Sequence, residues 1–204
     1  GWSPGDPKPG GRTRNPAGPT FADFDAFLSA RKSKDAPFCF WFGSIDPHRP
    51  YERNSGVQSG IDAKAVRVPP YLPDTDVVRR DICDYFYEVQ RFDREVGELL
   101  AKVEAMGELE NTIVVITGDN GWPFPRSKAN IYDSGTHAPL AISWPARIKG
   151  GRRVDDFVSL ADLAPTYLTV AGLPVPAALQ GRSLLALESG KSGQVESSRD
   201  HVLT

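Results

Sequence analysis

Residues 74–106 constrain the fold more than any other part of the chain. Apolar side chains recur there at Val78, Ile82, Tyr85, Phe86, Val89, Phe92, Val96, Leu99, Leu100 and Val103, the three-and-four spacing of a long helix with one apolar face. Gly107 follows where a left-handed C-terminal residue is expected. A stripe of that length has to be covered, and the flanking segments suggest by what. Before it runs Phe38-Cys39-Phe40-Trp41-Phe42, ending at Gly43; after it come Thr112-Ile113-Val114-Val115-Ile116-Thr117 and Leu140-Ala141-Ile142-Ser143-Trp144, the last closed by Pro145. Unbroken apolar runs of strand length suit strands buried on both faces, which would make Cys39 a buried thiol. A helix between such strands implies an α/β fold with a mostly parallel sheet covered by helices on both faces.

The remaining segments fit around that core. Residues 1–19 are too rich in Gly, Pro and Arg for a periodic element and read as a loop. Thr20 with Asp23 resembles a capping box ahead of Phe24, Phe27 and Leu28. Residues 44–73 are polar and Pro-rich, a length of connection that is usually functional or carries irregular structure of its own. Ser159-Leu160-Ala161-Asp162 reads as a second helix start, with Pro165 in the first turn and Gly172 and Pro174 as the stop. The expected organisation is one α/β domain portion over 1–204: loop to 19, core over 20–174, irregular tail over 175–204.

Charge and composition narrow the function. The 204 residues carry 24 Lys and Arg against 26 Asp and Glu, a net charge of −2, which gives no general grip on nucleic acid. No run approaches the roughly 20 apolar residues of a membrane helix, and 40% hydrophobic residues allow a real core. Two cysteines, Cys39 and Cys83, make neither a disulfide framework nor a metal pair.

Chemistry is to be sought beyond the carboxyl ends of the strands. After the second apolar run comes Gly118-Asp119-Asn120-Gly121, a carboxylate and a carboxamide side by side, hard oxygen donors suited to Ca²⁺ or Mg²⁺, although the same residues also make ordinary turns. After the first comes Asp46-Pro47-His48-Arg49-Pro50, where two prolines limit the backbone around an imidazole that could donate a hydrogen bond, act as an acid or ligate. Arg126 and Lys128 follow the Asp-Asn pair on a Pro-stiffened path. Cations beside a divalent metal suit a site that also holds a tetrahedral sulfate or phosphate.

Taken in order, these motifs resemble the second half of the catalytic domain of the sulfatases, in the alkaline-phosphatase-like superfamily. The resemblance runs through Pro37 to Gly43, Asp46-Pro-His-Arg-Pro, Val68-Pro-Pro-Tyr-Leu-Pro-Asp-Thr, Gln90-Arg-Phe-Asp-Arg-Glu-Val-Gly and Thr112-Ile-Val-Val-Ile-Thr-Gly-Asp-Asn-Gly. It continues through Lys128-Ala-Asn-Ile-Tyr-Asp-Ser-Gly-Thr-His-Ala-Pro-Leu, Ser159-Leu-Ala-Asp-Leu-Ala-Pro-Thr and Gly181-Arg-Ser-Leu-Leu. The wording Asp119-Asn-Gly-Trp-Pro-Phe-Pro-Arg-Ser-Lys-Ala-Asn-Ile-Tyr132 is similar to the heparan N-sulfatase (sulfamidase) branch, and leaves O-sulfate and N-sulfate both open.

The resemblance implies that Asp119 and Asn120 ligate an active-site Ca²⁺, that Lys128 contacts sulfate, and that His48 contacts sulfate and helps protonate the leaving group. Arg126 and His137 are lesser substrate-binding candidates, His137 with a secondary role at the site rim or in packing, and His201, near the chain end, could touch substrate but reads rather as an ordinary surface residue. It also implies a formylglycine nucleophile made from Cys or Ser in a Cys/Ser-x-Pro-x-Arg motif, which this chain lacks: Cys39 is followed by Phe-Trp and Cys83 by Asp-Tyr. The chain is therefore expected to hold about half of a sulfatase site, to bind Ca²⁺ weakly and to turn nothing over alone. The expected substrate is a sulfated glycan or sugar, and the expected location periplasmic, secreted or lysosomal. Two other readings stay open: a phosphoesterase of the same superfamily using Thr or Ser and two transition metals, and a non-catalytic homologue that binds sulfated glycans.

Overall fold

The computed structural model describes residues 20–189, 192–195 and 198–202; the loop expected over 1–19 lies outside them. The chain forms two compact units, Gly1–Ala105 and Met106–Thr204.

In the first unit α1 spans Phe24–Ser29. It starts one turn later than the Thr20 capping box suggests, because Asp23 is extended and its carboxylate accepts the Ala26 N–H at 2.8 Å. The long helix, α3 (Asp76–Ala105), is present as expected and is followed by Gly107 at φ +73°. A short helix, α2 (Ser55–Gln58), breaks the 44–73 stretch.

The 38–42 run differs from expectation. It is no ladder strand among the described residues, and only alternate side chains are covered: Phe38, Phe40 and Phe42 are half-buried while Cys39 is exposed and Trp41 is 61% exposed. Phe40 packs against Phe24 and Phe27 of α1 with ring centroids 4.9 Å apart in each case, and Phe42 stacks on Phe92 of α3 at 6.2 Å. An unbroken apolar run does not say how many of its faces are covered, and here one is. The buried thiol is instead Cys83 of α3, whose pKa burial pushes up.

Beside Cys83 the Asp84 carboxylate, 4% exposed, accepts the N–H groups of Asn54 and Gly56, both at 2.9 Å. It satisfies the start of α2, where Asn54 sits at φ +65° and caps nothing with its own side chain. A Cβ on Gly56 would stand 2.1 Å from the Cys83 carbonyl oxygen, so only glycine allows the contact. The long polar stretch is thereby fastened to α3.

The second unit holds β1 (Val114–Thr117), α4 (Asp133–Thr136), β2 (Leu140–Ser143) and α5 (Leu163–Val170). The strands pair antiparallel, with Val114 opposite Ser143 and Thr117 opposite Leu140, correcting the parallel expectation. A parallel pair needs a covering crossover that returns the chain to the same end, and between β1 and β2 the only helix is the four-residue α4. The capping box at Ser159 is formed, and Pro165 lies in the first turn of α5 as expected.

Residues in the tail close onto this helix start. Asp162 is fully buried, and its carboxylate accepts the N–H groups of Ser159 and Arg182, both at 2.8 Å, together with both Nη groups of Arg199. Thr166 donates its hydroxyl to the Asp162 carbonyl at 2.6 Å and accepts the Leu184 N–H at 2.8 Å. Among the described residues no helix is long and apolar enough to cross a membrane.

Candidate active site

The candidate residues fall on two arms, one in each unit. The first arm is the turn around His48. Both flanking bonds, Asp46–Pro47 and Arg49–Pro50, are cis, and the His48 N–H donates to the Ile45 carbonyl at 2.8 Å. His48 Nδ1 lies 2.6 Å from the carbonyl oxygen of Arg49. That oxygen can only accept, so Nδ1 carries the proton and Nε2 is the nitrogen left for chemistry.

The turn is tied to α3 on either side of the imidazole. Arg49 donates a fork to Asp81 at 2.9 and 2.5 Å, and Arg91 donates to Asp46 at 2.9 Å while standing 3.5 Å from Glu88. The Arg49 guanidinium lies 4.5 Å over the ring of Tyr51, whose hydroxyl donates to the Pro47 carbonyl at 3.2 Å. Hydrogen bonding to Asp81 raises the Arg49 pKa, and burial pushes the Tyr51 phenol well above its ordinary range. Both groups keep their protons throughout the working pH range. The contacts at Asp81 and Arg91 were not legible in the sequence because their partners lie 32 and 45 residues away in the chain.

The second arm begins where β1 ends. Asn120 donates its amide to the Asp119 carboxylate, while Asn120 Oδ1 is buried with no hydrogen-bond partner. A buried amide oxygen left unmet costs about 1–3 kcal/mol, and one that sits beside a carboxylate fits a hard dication such as Ca²⁺. The donor set present therefore suits the metal but does not complete it: among the described residues no group of three or more His, Cys, Asp or Glu could hold an ion, whereas Ca²⁺ takes roughly six to eight oxygens.

The chain then closes into a knot. Gly121 donates its N–H to the Gly135 carbonyl at 2.9 Å, and a Cβ on Gly121 would stand 1.8 Å from the Ser134 carbonyl oxygen. Ser127, fully buried, accepts the Trp122 indole N–H at 2.7 Å and donates to Ser134 at 2.9 Å; Ser134 in turn donates to the Arg126 carbonyl at 2.8 Å. Lys128 donates its backbone N–H to the Trp122 carbonyl at 3.2 Å, and left-handed residues flank it, Arg126 at φ +63° and Ala129 at φ +62°. Arg126 and Lys128 are exposed around the buried Ser127. Among the described residues the Lys128 ammonium enters no ion pair.

The lesser candidates are placed as follows. The Arg126 guanidinium lies 6.0 Å from the Tyr132 ring. His137 is exposed, with Nδ1 3.4 Å from Asp133, and His201 is exposed and pairs with its neighbour Asp200 at 2.6 Å. The hydroxyl knot of Ser127 and Ser134 was not foreseen, although Gly121 and Gly135 on either side of it were a signal of close backbone approach.

Comparison with known proteins bears on the family of the chain. The sulfatase family model matches residues 15–173. Human N-sulphoglucosamine sulphohydrolase is 35% identical over 76% of this chain and 37% of its own length. An ulvan-active sulfatase of Formosa agariphila is 38% identical over 61% of this chain and 21% of its own. A structure solved in complex with its substrate D-glucosamine-2-N,6-O-disulfate superposes with a TM-score of 0.54 at 31% identity, over 59% of this chain and 26% of that one. The chain thus spans between about a fifth and just over a third of the length of these proteins. It belongs to the sulfatase family.

Proposed function

We propose that the protein to which this chain belongs hydrolyses sulfate esters or sulfamates on sulfated sugars, in a domain of alkaline-phosphatase-like fold. The observation that carries the reading is the second arm: a carboxylate and an orphaned buried amide oxygen at the end of β1, tied by one backbone knot to an ammonium that no described residue neutralises. That combination suits an anion held between a metal and a cation, and the sulfated-sugar relatives favour sulfate as the anion.

Each residue has a role that its chemistry permits. Lys128 meets the sulfuryl oxygens and offsets the charge that builds on them. His48, with Nδ1 committed to the Arg49 carbonyl, holds a proton on Nε2 when the ring is charged and gives it to the departing oxygen or nitrogen. Asp119 and Asn120 would hold Ca²⁺, which when bound adds Lewis-acid polarisation of the sulfuryl group. The nucleophile that the family reading calls for would be a formylglycine, and neither Cys39, exposed, nor Cys83, buried, stands in the motif that yields it. Arg126 and His137 are lesser contacts to the substrate. An exported location, periplasmic, secreted or lysosomal, goes with glycan substrates of this kind.

The test is release of inorganic sulfate from N-sulfoglucosamine and from glucosamine 6-sulfate by the full-length protein. Activity should disappear on chelation and return with Ca²⁺, and Asn120→Ala should weaken the apparent Ca²⁺ affinity by about tenfold or more. Activity restored only by Zn²⁺ or Mn²⁺, with phosphate esters preferred, would support a phosphoesterase instead; glycan binding without turnover would support the non-catalytic reading.

A further inference from the structure

Arg49 occupies an unusual position, because it acts on both sides of the His48 turn. Its carbonyl fixes the imidazole tautomer through Nδ1 at 2.6 Å, and its guanidinium is held by a two-point fork on Asp81, 2.9 and 2.5 Å away, 32 residues along the chain on α3. A fork of this kind sets orientation as well as distance. The ring of Tyr51 beneath the guanidinium and the Tyr51 hydroxyl on the Pro47 carbonyl close the turn from its other side.

We propose that Asp81 is a positioning residue for His48, acting through Arg49: the carboxylate on α3 holds the guanidinium, the guanidinium holds the peptide, and the peptide carbonyl holds Nδ1–H so that Nε2 faces outward for proton transfer. Asp81 itself touches no reacting atom. The consequence for catalysis rests on the sulfatase reading above, whereas the consequence for the imidazole does not.

The fork could have been a surface ion pair of no functional weight, since both partners are about 38–39% exposed, and such pairs contribute little to stability. What separates it from an ordinary pair is where its cation sits, one peptide from the imidazole. Misplacing a reacting group by about 1 Å can cost on the order of 100-fold in rate, so a pair with little effect on folding can still matter for turnover.

The experiment uses the full-length protein with ¹⁵N-labelled histidine, and compares wild type, Asp81→Asn, Asp81→Glu and His48→Gln, the last to assign the resonance. At a pH where the ring is neutral, wild-type His48 should be the Nδ1–H tautomer. Asp81→Asn should give a mixture of tautomers and lower kcat for sulfate release by about 10-fold to 100-fold, with KM changed less than about twofold, and Asp81→Glu should recover most of both. An Asp81→Asn protein that keeps the Nδ1–H tautomer and a kcat within about twofold of wild type would overturn the proposal. If the tautomer mixes in Asp81→Asn but the wild-type protein releases no sulfate, the positioning role stands and the hydrolytic reading falls.

Discussion

His48 and Lys128 are presented by different physical means. Around His48 the fastenings are charged side chains reaching across to α3, Arg49 on Asp81 and Arg91 on Asp46. Around Lys128 they are backbone contacts and hydroxyls, with Gly121 and Gly135 allowing chain segments to approach closer than any Cβ permits. A charge clamp can be altered at one residue without disturbing the packing beneath it. A backbone knot cannot, because each contact excludes volume. The first arm should therefore be tunable in activity at little cost in stability, and the second should fail as a unit.

Burial sets the scale of what charge can do, and Asp162 provides the strongest contrast to the exposed fork at Asp81. Burial alone would raise the Asp162 pKa, but the Arg199 guanidinium and the backbone N–H groups of Ser159 and Arg182 more than reverse this and hold it below the usual carboxylate range. Asp162→Ala should cost about 3–5 kcal/mol, since it takes the carboxylate away from a largely buried guanidinium. With a depressed folded pKa, the Asp162 contribution is present above the unfolded value near 3.9 and is lost as pH falls through the folded one. Denaturant titrations from pH 7 downward should show wild type losing stability in that acid window and Asp162→Ala losing less there.

Next in size is Gly135→Ala, whose Cβ would lie 2.3 Å from the Ser127 carbonyl oxygen and 2.4 Å from that of Asn130. Both obstacles are backbone, so a loss of about 3 kcal/mol is expected in equilibrium unfolding. Ser127→Ala leaves the Trp122 indole without its acceptor and should cost about 2 kcal/mol by the same measurement. A Ser127→Ala protein as stable as wild type would show that the hydroxyls merely accompany the knot.

The smallest effect on stability belongs to the charge arm. Arg49→Ala should change unfolding free energy by less than about 1 kcal/mol while lowering turnover. If it destabilises as much as Gly135→Ala does, the distinction between clamp and knot is lost.

The same contrast explains what the sequence disclosed. α3, both strands of the second unit, the Ser159 capping box and the Asp119-Asn120 turn were legible because each is written in neighbouring residues. Strand direction was not, since it depends on the connection, and α4 is too short to serve as a crossover. The 38–42 run looked fully buried because apolarity was continuous, yet its alternate residues Cys39 and Trp41 face outward. Pairings such as Asp84 with the Gly56 N–H, Asp81 with Arg49 and Asp162 with Arg199 join residues 28 to 37 positions apart; nothing local distinguishes those carboxylates from solvated ones.

In the function proposed above the second arm presents Lys128 to a sulfuryl group, and sulfate release by the full-length Lys128→Ala protein is the decisive measurement. Because this ammonium is exposed and enters no ion pair with the described residues, removing it should leave the unfolding temperature unchanged while kcat/KM for a sulfated glucosamine falls roughly 100-fold. A Lys128→Ala protein that is equally stable and hydrolyses the same sugar within about twofold of wild type would show that Lys128 does not meet the sulfuryl group.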